Sequence, residues 1–162
     1  MNYGIIPERM DNLQKFINAN SPAGWEGHIY VAFPYLSENA NIQHFRVEIA
    51  QKLLDGWVGE GFPVFSPVHY STRFHARGVN PPRGWYDWDM EFLKSSRELW
   101  VLQFPGWSDS IGVNLEIAVA KNLNIPIVYM DTHYMTNLLW NLGIKDWDHP
   151  HIVYLNNREP KE

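Results

Sequence analysis

The sequence predicts a single-domain α/β protein with a doubly wound, mostly parallel sheet of about five strands, as in flavodoxin-like and Rossmann-like folds. Short apolar runs bounded by Gly, Pro or polar residues alternate along the chain with segments of helical periodicity. A strand–helix–strand order between residues 28 and 67 favours parallel pairing. With 162 residues, 45% of them apolar, the chain is long enough for one sizeable core.

The elements follow in order along residues 1–162. Residues 1–27 are predicted to be an accessory helical segment, residues 28–130 the α/β catalytic core, and residues 131–162 a C-terminal helix and short strand. Strands are predicted at 28–33, 62–67, 99–102, 125–130 and 151–155, and helices at 42–57, 85–95, 113–121 and 132–142. Within the helix at 85–95, Trp88, Phe92 and Leu93 are expected to face the core. Residues 68–84 lose periodicity and are predicted to form a loop.

Charge and composition exclude several classes of function. A net charge of −5 argues against binding to a nucleic-acid polymer, which needs clustered Lys and Arg. The absence of cysteine excludes thiolate metal sites and is compatible with a cytoplasmic location. No segment has the run of apolar residues that a membrane span or secretion signal requires. Many of the aromatic residues are expected in the core or in a homodimer interface.

The chemistry is predicted to lie in residues 99–122. An apolar strand leads through a Pro105–Gly106 turn and a polar loop into a helix that carries Glu116. The first amides of a helix are unpaired and its dipole is positive there, so this loop can bind an anion. Helical side chains lean toward the N-terminus, which brings the Glu116 carboxylate toward that ligand. Ligands of such sheets bind at the carboxyl ends of the strands, where the loops after residues 33, 67 and 104 should converge.

The other ionisable residues give weaker indications of function. Asp89 either favours the positive end of its helix or projects from the same sheet edge as residues 105–111. His69 and His75 have no carboxylate at ligand spacing, so no metal site is predicted. The loop after the first strand is poorer in Ser, Thr and Gly than flavin-binding loops usually are. No cofactor is therefore predicted.

Four blocks of sequence resemble the nucleoside 2-deoxyribosyltransferase-like superfamily, most closely its DUF1937 branch. The blocks are IYVAFPY at 29–35, VFSP at 64–67, Trp85 with Asp89 followed by LWVL at 99–102, and PGW at 105–107 with SIGVNLEI at 110–117. Together they span residues 28–130, and the last block is the most specific.

The resemblance implies roles for individual residues. Glu116 would be a nucleophile beneath the sugar C1′ atom, exposed on its helix, kept ionised by the helix N-terminus and oriented by the Tyr30 hydroxyl. Asp89 would contact the base or act as general acid and base. The walls for the planar base would be Phe33, Tyr35, Trp85 and Trp107. Substrate contacts would come from Phe33, Pro34, Ser37, Arg46, Trp85, Gly106, Trp107, Asp109, Ser110, Gly112 and Val113.

Ser110 separates two activities within that superfamily. Deoxyribosyltransferases place an Asp six residues before the catalytic Glu, whereas Ser at this position resembles the nucleoside 5′-monophosphate N-glycosidases. The Ser110 hydroxyl and the amides of Gly112 and Val113 would then hold a 5′-phosphate, which an Asp would repel. Asp109 is adjacent and could restore the carboxylate of a transferase that takes free nucleosides.

Three hypotheses about the function therefore remain open from the sequence. The first is hydrolysis of a nucleotide by a homodimer or larger homo-oligomer; the second is transfer of deoxyribose between bases. The third is a non-catalytic nucleotide-binding or sensor module, in which Glu116 is a solvated helix residue.

Overall fold

A computed structural model describes residues 27–156 of the chain. The predicted accessory helix in residues 1–27 lies, except for Gly27, outside these residues. The strands are β1 (Ile29–Ala32), β2 (Val64–Phe65), β3 (Glu98–Leu102) and β4 (Ile127–Met130). The helices are α1 (Ala40–Gly59), α2 (Pro67–His75), α3 (Trp85–Lys94), α4 (Ile111–Asn122), α5 (Thr132–Asn141) and α6 (Pro150–Leu155), and a 3₁₀ turn spans Trp107–Asp109.

The described strands form one all-parallel sheet in the order β2-β1-β3-β4. This Rossmann-like arrangement confirms the predicted α/β class, with four strands rather than about five. In the register, Tyr30 lies between Phe65 of β2 and Leu99 of β3. The chain leaves β1 toward β2 on one side and returns to β3 on the other. The carboxyl ends of β1 and β3 therefore form the switch point at which open α/β sheets bind ligands.

The prediction of a strand at residues 151–155 is wrong, because these residues form α6. Pro150 occupies the first turn of this helix, where its missing N–H costs nothing. The ring Nδ1 of His149 accepts the amide proton of His151. A short apolar run such as IVYL cannot be assigned to strand or helix by periodicity alone, and here the proline start decides for helix.

The predicted loop at residues 68–84 is also partly wrong, since α2 occupies its first half. Ser66 caps the helix, with its Oγ accepting from the amide of His69 at 3.4 Å, and Pro67 begins it. Tyr70 and Phe74 lie one turn apart and pack with ring centroids 5.0 Å apart. The irregular segment is therefore confined to residues 76–84.

Helices cover both faces of the sheet, as the doubly wound prediction requires. Ile29 and Val31 point to the face that packs against α1, α5 and α6, and Tyr30 and Ala32 point to the face beneath α3 and α4. Met90 and Leu93 of α3 are buried against the sheet face that carries Tyr30 and Ala32, and Leu93 is fully buried. Phe92 packs against the same face. Trp88, predicted to face the core, is instead 42% exposed. Within residues 27–156 no helix has the length and apolar character needed to cross a membrane.

Candidate functional site

The candidate site lies where β1 meets α3 and α4. Tyr30 belongs to β1, and its ring lies on the sheet face that these two helices cover. Glu116 belongs to α4 and Asp89 to α3. The charges of Glu116 and Asp89 both act on the Tyr30 hydroxyl, so the fold brings together three residues that are far apart in the sequence.

A direct hydrogen bond joins the first two of these residues. The Tyr30 hydroxyl donates to Oε1 of Glu116 at 2.8 Å. Tyr30 is fully buried, and burial followed by the charge of Glu116 raises the pKa of its hydroxyl far above the ordinary value. The hydroxyl therefore stays protonated and remains a donor, which orients the Glu116 carboxyl group.

Both carboxyl groups bind their protons more tightly than usual. Burial raises the pKa of Glu116 to about 8; the Tyr30 hydrogen bond opposes this and the charge of Asp89 adds to it. Burial likewise raises the pKa of Asp89 to about 7, and its Oδ1 atom is buried with no hydrogen-bond partner among the described residues. The expectation of an exposed Glu116, kept ionised by the helix N-terminus, is therefore wrong, because its side chain is half-buried and loss of water outweighs the dipole.

The N-terminus of α4 carries free donors beside these carboxyl groups. Ser110 is the cap residue, and its Oγ accepts from the amide of Val113 at 3.3 Å. The amide of Val113, expected to bind a phosphate, is thus already paired. The amides of Ile111 and Gly112 have no acceptor within residues 27–156. A Cβ added to Gly112 would meet nothing within 4 Å, so the space beside the Cα atom of this residue is open.

Arg46 joins the two loops that border the switch point. Its Nη1 donates to the carbonyl of Leu36 at 2.8 Å, in the loop after β1, and its Nη2 donates to the carbonyl of Pro105 at 3.1 Å, in the loop after β3. Its Nε donates to the hydroxyl of Tyr154 on α6 at 2.9 Å. Arg46 was expected to contact substrate; in the structure it is 9% exposed and holds the two loops together from inside.

Two residues with structural roles at the site escaped the sequence analysis. Asn114 donates its side-chain amide to the carbonyls of Ser108 at 2.8 Å and Ser110 at 2.9 Å, which fixes the loop before α4. Its position four residues after Ser110 is a recognisable signal for such a contact. Tyr154, the partner of Arg46, comes from α6 and has no local signal in the sequence.

The other expected substrate contacts fall into two groups. Phe33 and Pro34 are buried, and the Phe33 ring packs against Phe104 with centroids 5.5 Å apart, so it belongs to the core. The accessible or partly accessible positions are Tyr35, Ser37, Trp85, Gly106, Trp107 and Asp109. Ser37 accepts from the amide of Asn39 at 3.1 Å. Gly106 adopts a left-handed conformation with a φ of 84°, which allows the sharp turn after β3.

The two histidines considered for metal binding have protein partners. Nδ1 of His69 bonds Ser66 Oγ at 2.7 Å and its Nε2 bonds the carbonyl of Val47 at 3.0 Å. His75 bonds the side chain of Asn80 at 2.8 Å. Within the part of the chain that the structure describes, no three His, Asp or Glu residues are grouped as metal ligands.

Fold and site together define a parallel α/β protein with a Tyr–Glu pair and a nearby Asp at the switch point of its sheet. Comparison with family models gives the more particular assignment. The model described as "Domain of unknown function (DUF1937)" matches residues 27–132, so the chain belongs to this family. No curated protein matches the sequence.

Proposed function

We propose that the protein is an N-glycosidase that cleaves the bond between base and sugar in a nucleoside 5′-monophosphate, with Glu116 as the nucleophile. The observation that carries the proposal is the 2.8 Å hydrogen bond from a fully buried Tyr30 to Glu116, with Asp89 close enough to act on both. For a Glu on an amphipathic helix the usual role is a solvated surface residue. A buried tyrosine that orients a half-buried Glu fits a catalytic role better. The resemblance to the nucleoside 2-deoxyribosyltransferase-like superfamily supports the same proposal.

The chemistry follows from the charges that the reaction develops. As the bond between C1′ and the base nitrogen breaks, positive charge grows on the sugar and negative charge on the base. The reactive form of the site is the one in which the two carboxyl groups hold a single proton and Asp89 carries it, although Glu116, with the higher pKa, carries it more often. In that form the Glu116 carboxylate attacks C1′, and Asp89 gives its proton to the departing base. Water then attacks C1′ of the glycosyl-enzyme, and its proton returns to Asp89 as the Glu116 ester bond breaks. A pKa near 7 suits Asp89 to both transfers.

The proposed phosphate site is the N-terminus of α4. Ser110 Oγ already accepts from the amide of Val113, and its O–H proton has no acceptor within residues 27–156. That hydroxyl and the amides of Ile111 and Gly112 would supply three donors to a phosphate at the positive end of the helix. The amide of Ile111 therefore replaces the amide of Val113 as a proposed phosphate donor.

A homodimer is part of the proposal. Ile111 is 79% exposed and Leu115, one turn further along α4, is 41% exposed. These apolar side chains lie next to the proposed phosphate site, where a second copy of the chain would cover them.

The test is to incubate the protein with a panel of ribo- and deoxyribonucleosides and their 5′-monophosphates and to measure free base by chromatography. We expect base release from at least one monophosphate, and none from the Glu116→Gln variant. Glu60→Gln, an exposed change at the end of α1, is the matched control and should keep full activity.

Two other outcomes would replace the proposal. Exchange of bases between nucleosides, with no preference for the phosphate, would identify a deoxyribosyltransferase in which Asp109 binds the sugar. Binding of a nucleotide without release or exchange of base would identify a non-catalytic module.

A further inference from the structure

A second candidate site lies outside the Tyr30–Glu116 pair, in the cavity between α2, residues 76–84 and α3. The cavity has a volume of about 290 Å³. Four aromatic side chains line it: Tyr70, Phe74, Trp85 and Trp88. This volume is close to the roughly 300 Å³ at which small-molecule pockets begin.

The aromatic walls are held in place by contacts with one another. The Phe74 ring lies 5.0 Å from the Tyr70 ring and 6.2 Å from the Trp85 ring, and Trp85 lies 6.2 Å from Trp88, between centroids. Each ring limits the movement of the next. The cavity therefore has pre-formed apolar surfaces against which a planar ring can stack.

One amide group adds hydrogen-bonding specificity to these walls. Oδ1 of Asn80, which lines the cavity, accepts from Nε1 of Trp85 at 3.0 Å and from Nδ1 of His75 at 2.8 Å. These two bonds fix the orientation of the Asn80 side chain. Its Nδ2 has no acceptor within residues 27–156 and remains able to donate to a ligand.

The charge around the cavity is opposite in sign to that of the protein. The whole chain carries a net charge of −5, yet residues 61–86 contain no Asp or Glu and include Arg73, Arg77 and Arg83. The Arg77 guanidinium carbon lies 5.4 Å from the centroid of the Phe74 ring, which is part of the cavity wall. Arg73 is three residues after Tyr70 on α2 and so lies beside it on the helix surface.

Two of these three arginines carry charge that no acidic group offsets in the described part of the chain. Arg83 pairs with Asp87, with Nε and Oδ2 3.4 Å apart. Arg73 and Arg77 form no ion pair within residues 27–156. The cavity thus combines an aromatic interior, one amide donor and a cationic rim.

We infer that this cavity binds a small planar aromatic compound that carries an anionic group such as a phosphate, sulfonate or carboxylate. Its ring would stack on the aromatic wall that Phe74 and Trp85 form, and its anion would pair with Arg77. On α3, Trp85 and Trp88 line the cavity, whereas Met90 and Leu93 are buried against the sheet. The cavity therefore opens on a different side of α3 from the core contact, and the inference does not depend on the proposed glycosidase activity.

The inference is tested by isothermal titration of the purified protein with 1-naphthyl phosphate, 1-naphthol and inorganic phosphate. We expect saturable binding of naphthyl phosphate at least 10-fold tighter than binding of naphthol or phosphate alone. Arg77→Gln should weaken binding of naphthyl phosphate about 10-fold and leave naphthol unchanged, because it removes only the charged contact. Arg77→Lys keeps the positive charge and should therefore weaken binding of naphthyl phosphate less than Arg77→Gln does.

Matched controls separate this cavity from the rest of the protein. Lys52→Gln removes one positive charge from the exposed surface of α1 and should leave binding unchanged. Ser110→Ala should also leave it unchanged; if it weakens binding as much as Arg77→Gln does, the probe occupies the proposed catalytic site and the inference is overturned. Equal affinity for naphthol and naphthyl phosphate, or no saturable binding of the phosphate ester, would overturn it as well.

Discussion

Replacing Glu116 with Gln should make the folded protein more stable at high pH while it removes activity. The folded state raises the pKa of this carboxyl group from 4.5 to about 8, so folding favours its protonated form. That stabilisation is fully present below pH 4.5 and is lost as the pH rises through 8. Gln resembles the protonated form and carries no proton to lose. The variant should therefore keep at high pH the stability that the wild-type protein has only at low pH.

The expected magnitude follows from the size of the pKa shift. At about 1.4 kcal/mol per pKa unit, the full shift corresponds to roughly 4 to 5 kcal/mol. Glu116 is only partly buried as a residue, and water drawn toward it on ionisation offsets part of this energy, so we expect a gain of about 2 kcal/mol in the free energy of unfolding at pH 9 relative to pH 5. Tyr30 can still donate to the Gln oxygen, so little else changes at the site.

Urea denaturation followed by tryptophan fluorescence measures this gain, with wild type and variant compared at pH 5 and at pH 9. Glu60→Gln is the control, and an exposed change of this kind should differ from wild type by less than about 0.5 kcal/mol at both pH values. If the stability of Glu116→Gln relative to wild type is the same at pH 5 and pH 9, the carboxyl group is not held in its protonated form, and the reasoning from burial fails.

Three further outcomes are expected. Ser110→Ala should raise KM for a nucleoside 5′-monophosphate roughly 10- to 100-fold, because it removes a charge-assisted hydrogen bond, and should barely change KM for the matching nucleoside; steady-state kinetics with both substrates measures this. Tyr30→Phe removes the hydrogen bond that lowers the pKa of Glu116, so the fraction of ionised Glu116 at acid and neutral pH should fall, and kcat/KM with it; an unchanged profile of kcat/KM against pH would mean that Tyr30 does not act on Glu116. Arg46→Met should lower the free energy of unfolding by about 3 kcal/mol in urea denaturation, since it removes three hydrogen bonds of about 1 kcal/mol each, to the carbonyls of Leu36 and Pro105 and to the Tyr154 hydroxyl; a loss below about 0.5 kcal/mol would contradict its structural role.

The parts of the fold that the sequence predicts are those with a strong local signal. The runs around Ile29 and Leu99 are apolar, short and followed by turns, and both are strands of the parallel sheet. Parallel order then brings the loops after them to one edge of the sheet. The contact between Tyr30 and Glu116 follows from the family resemblance alone at the level of sequence, and the structure shows it as a hydrogen bond.

Predictions of secondary structure were wrong where a local pattern fitted two kinds of element or where tertiary contacts determined which one formed. Residues 151–155 have an apolar run that fits either element, and Pro150 together with packing against α1 and α5 selects a helix. The capped start of α2 was missed because Ser66 and Pro67 also suit the end of a strand.

The functional state of the site depends on burial, which the sequence does not reveal. The expectation of an ionised Glu116 considered the helix dipole, and the structure adds desolvation, the larger effect. The family resemblance alone implies that Arg46 contacts the substrate. Its partners are carbonyl groups of two loops that are far apart in the chain, and only the fold brings them to it.

The central claim is that Glu116 forms a covalent bond to the sugar, and the most direct test is to trap that bond. A 5′-monophosphate of a 2′-fluoro arabinonucleoside slows both steps of the reaction, because the fluorine destabilises the positive charge on the sugar. Intact-protein mass spectrometry after incubation should show an added fluoro-sugar phosphate, and peptide mapping should place it on Glu116. Glu116→Gln should gain no mass, and Ser110→Ala should be labelled more slowly. Labelling at another residue, or base release by the wild-type protein that persists in Glu116→Gln, would contradict the account.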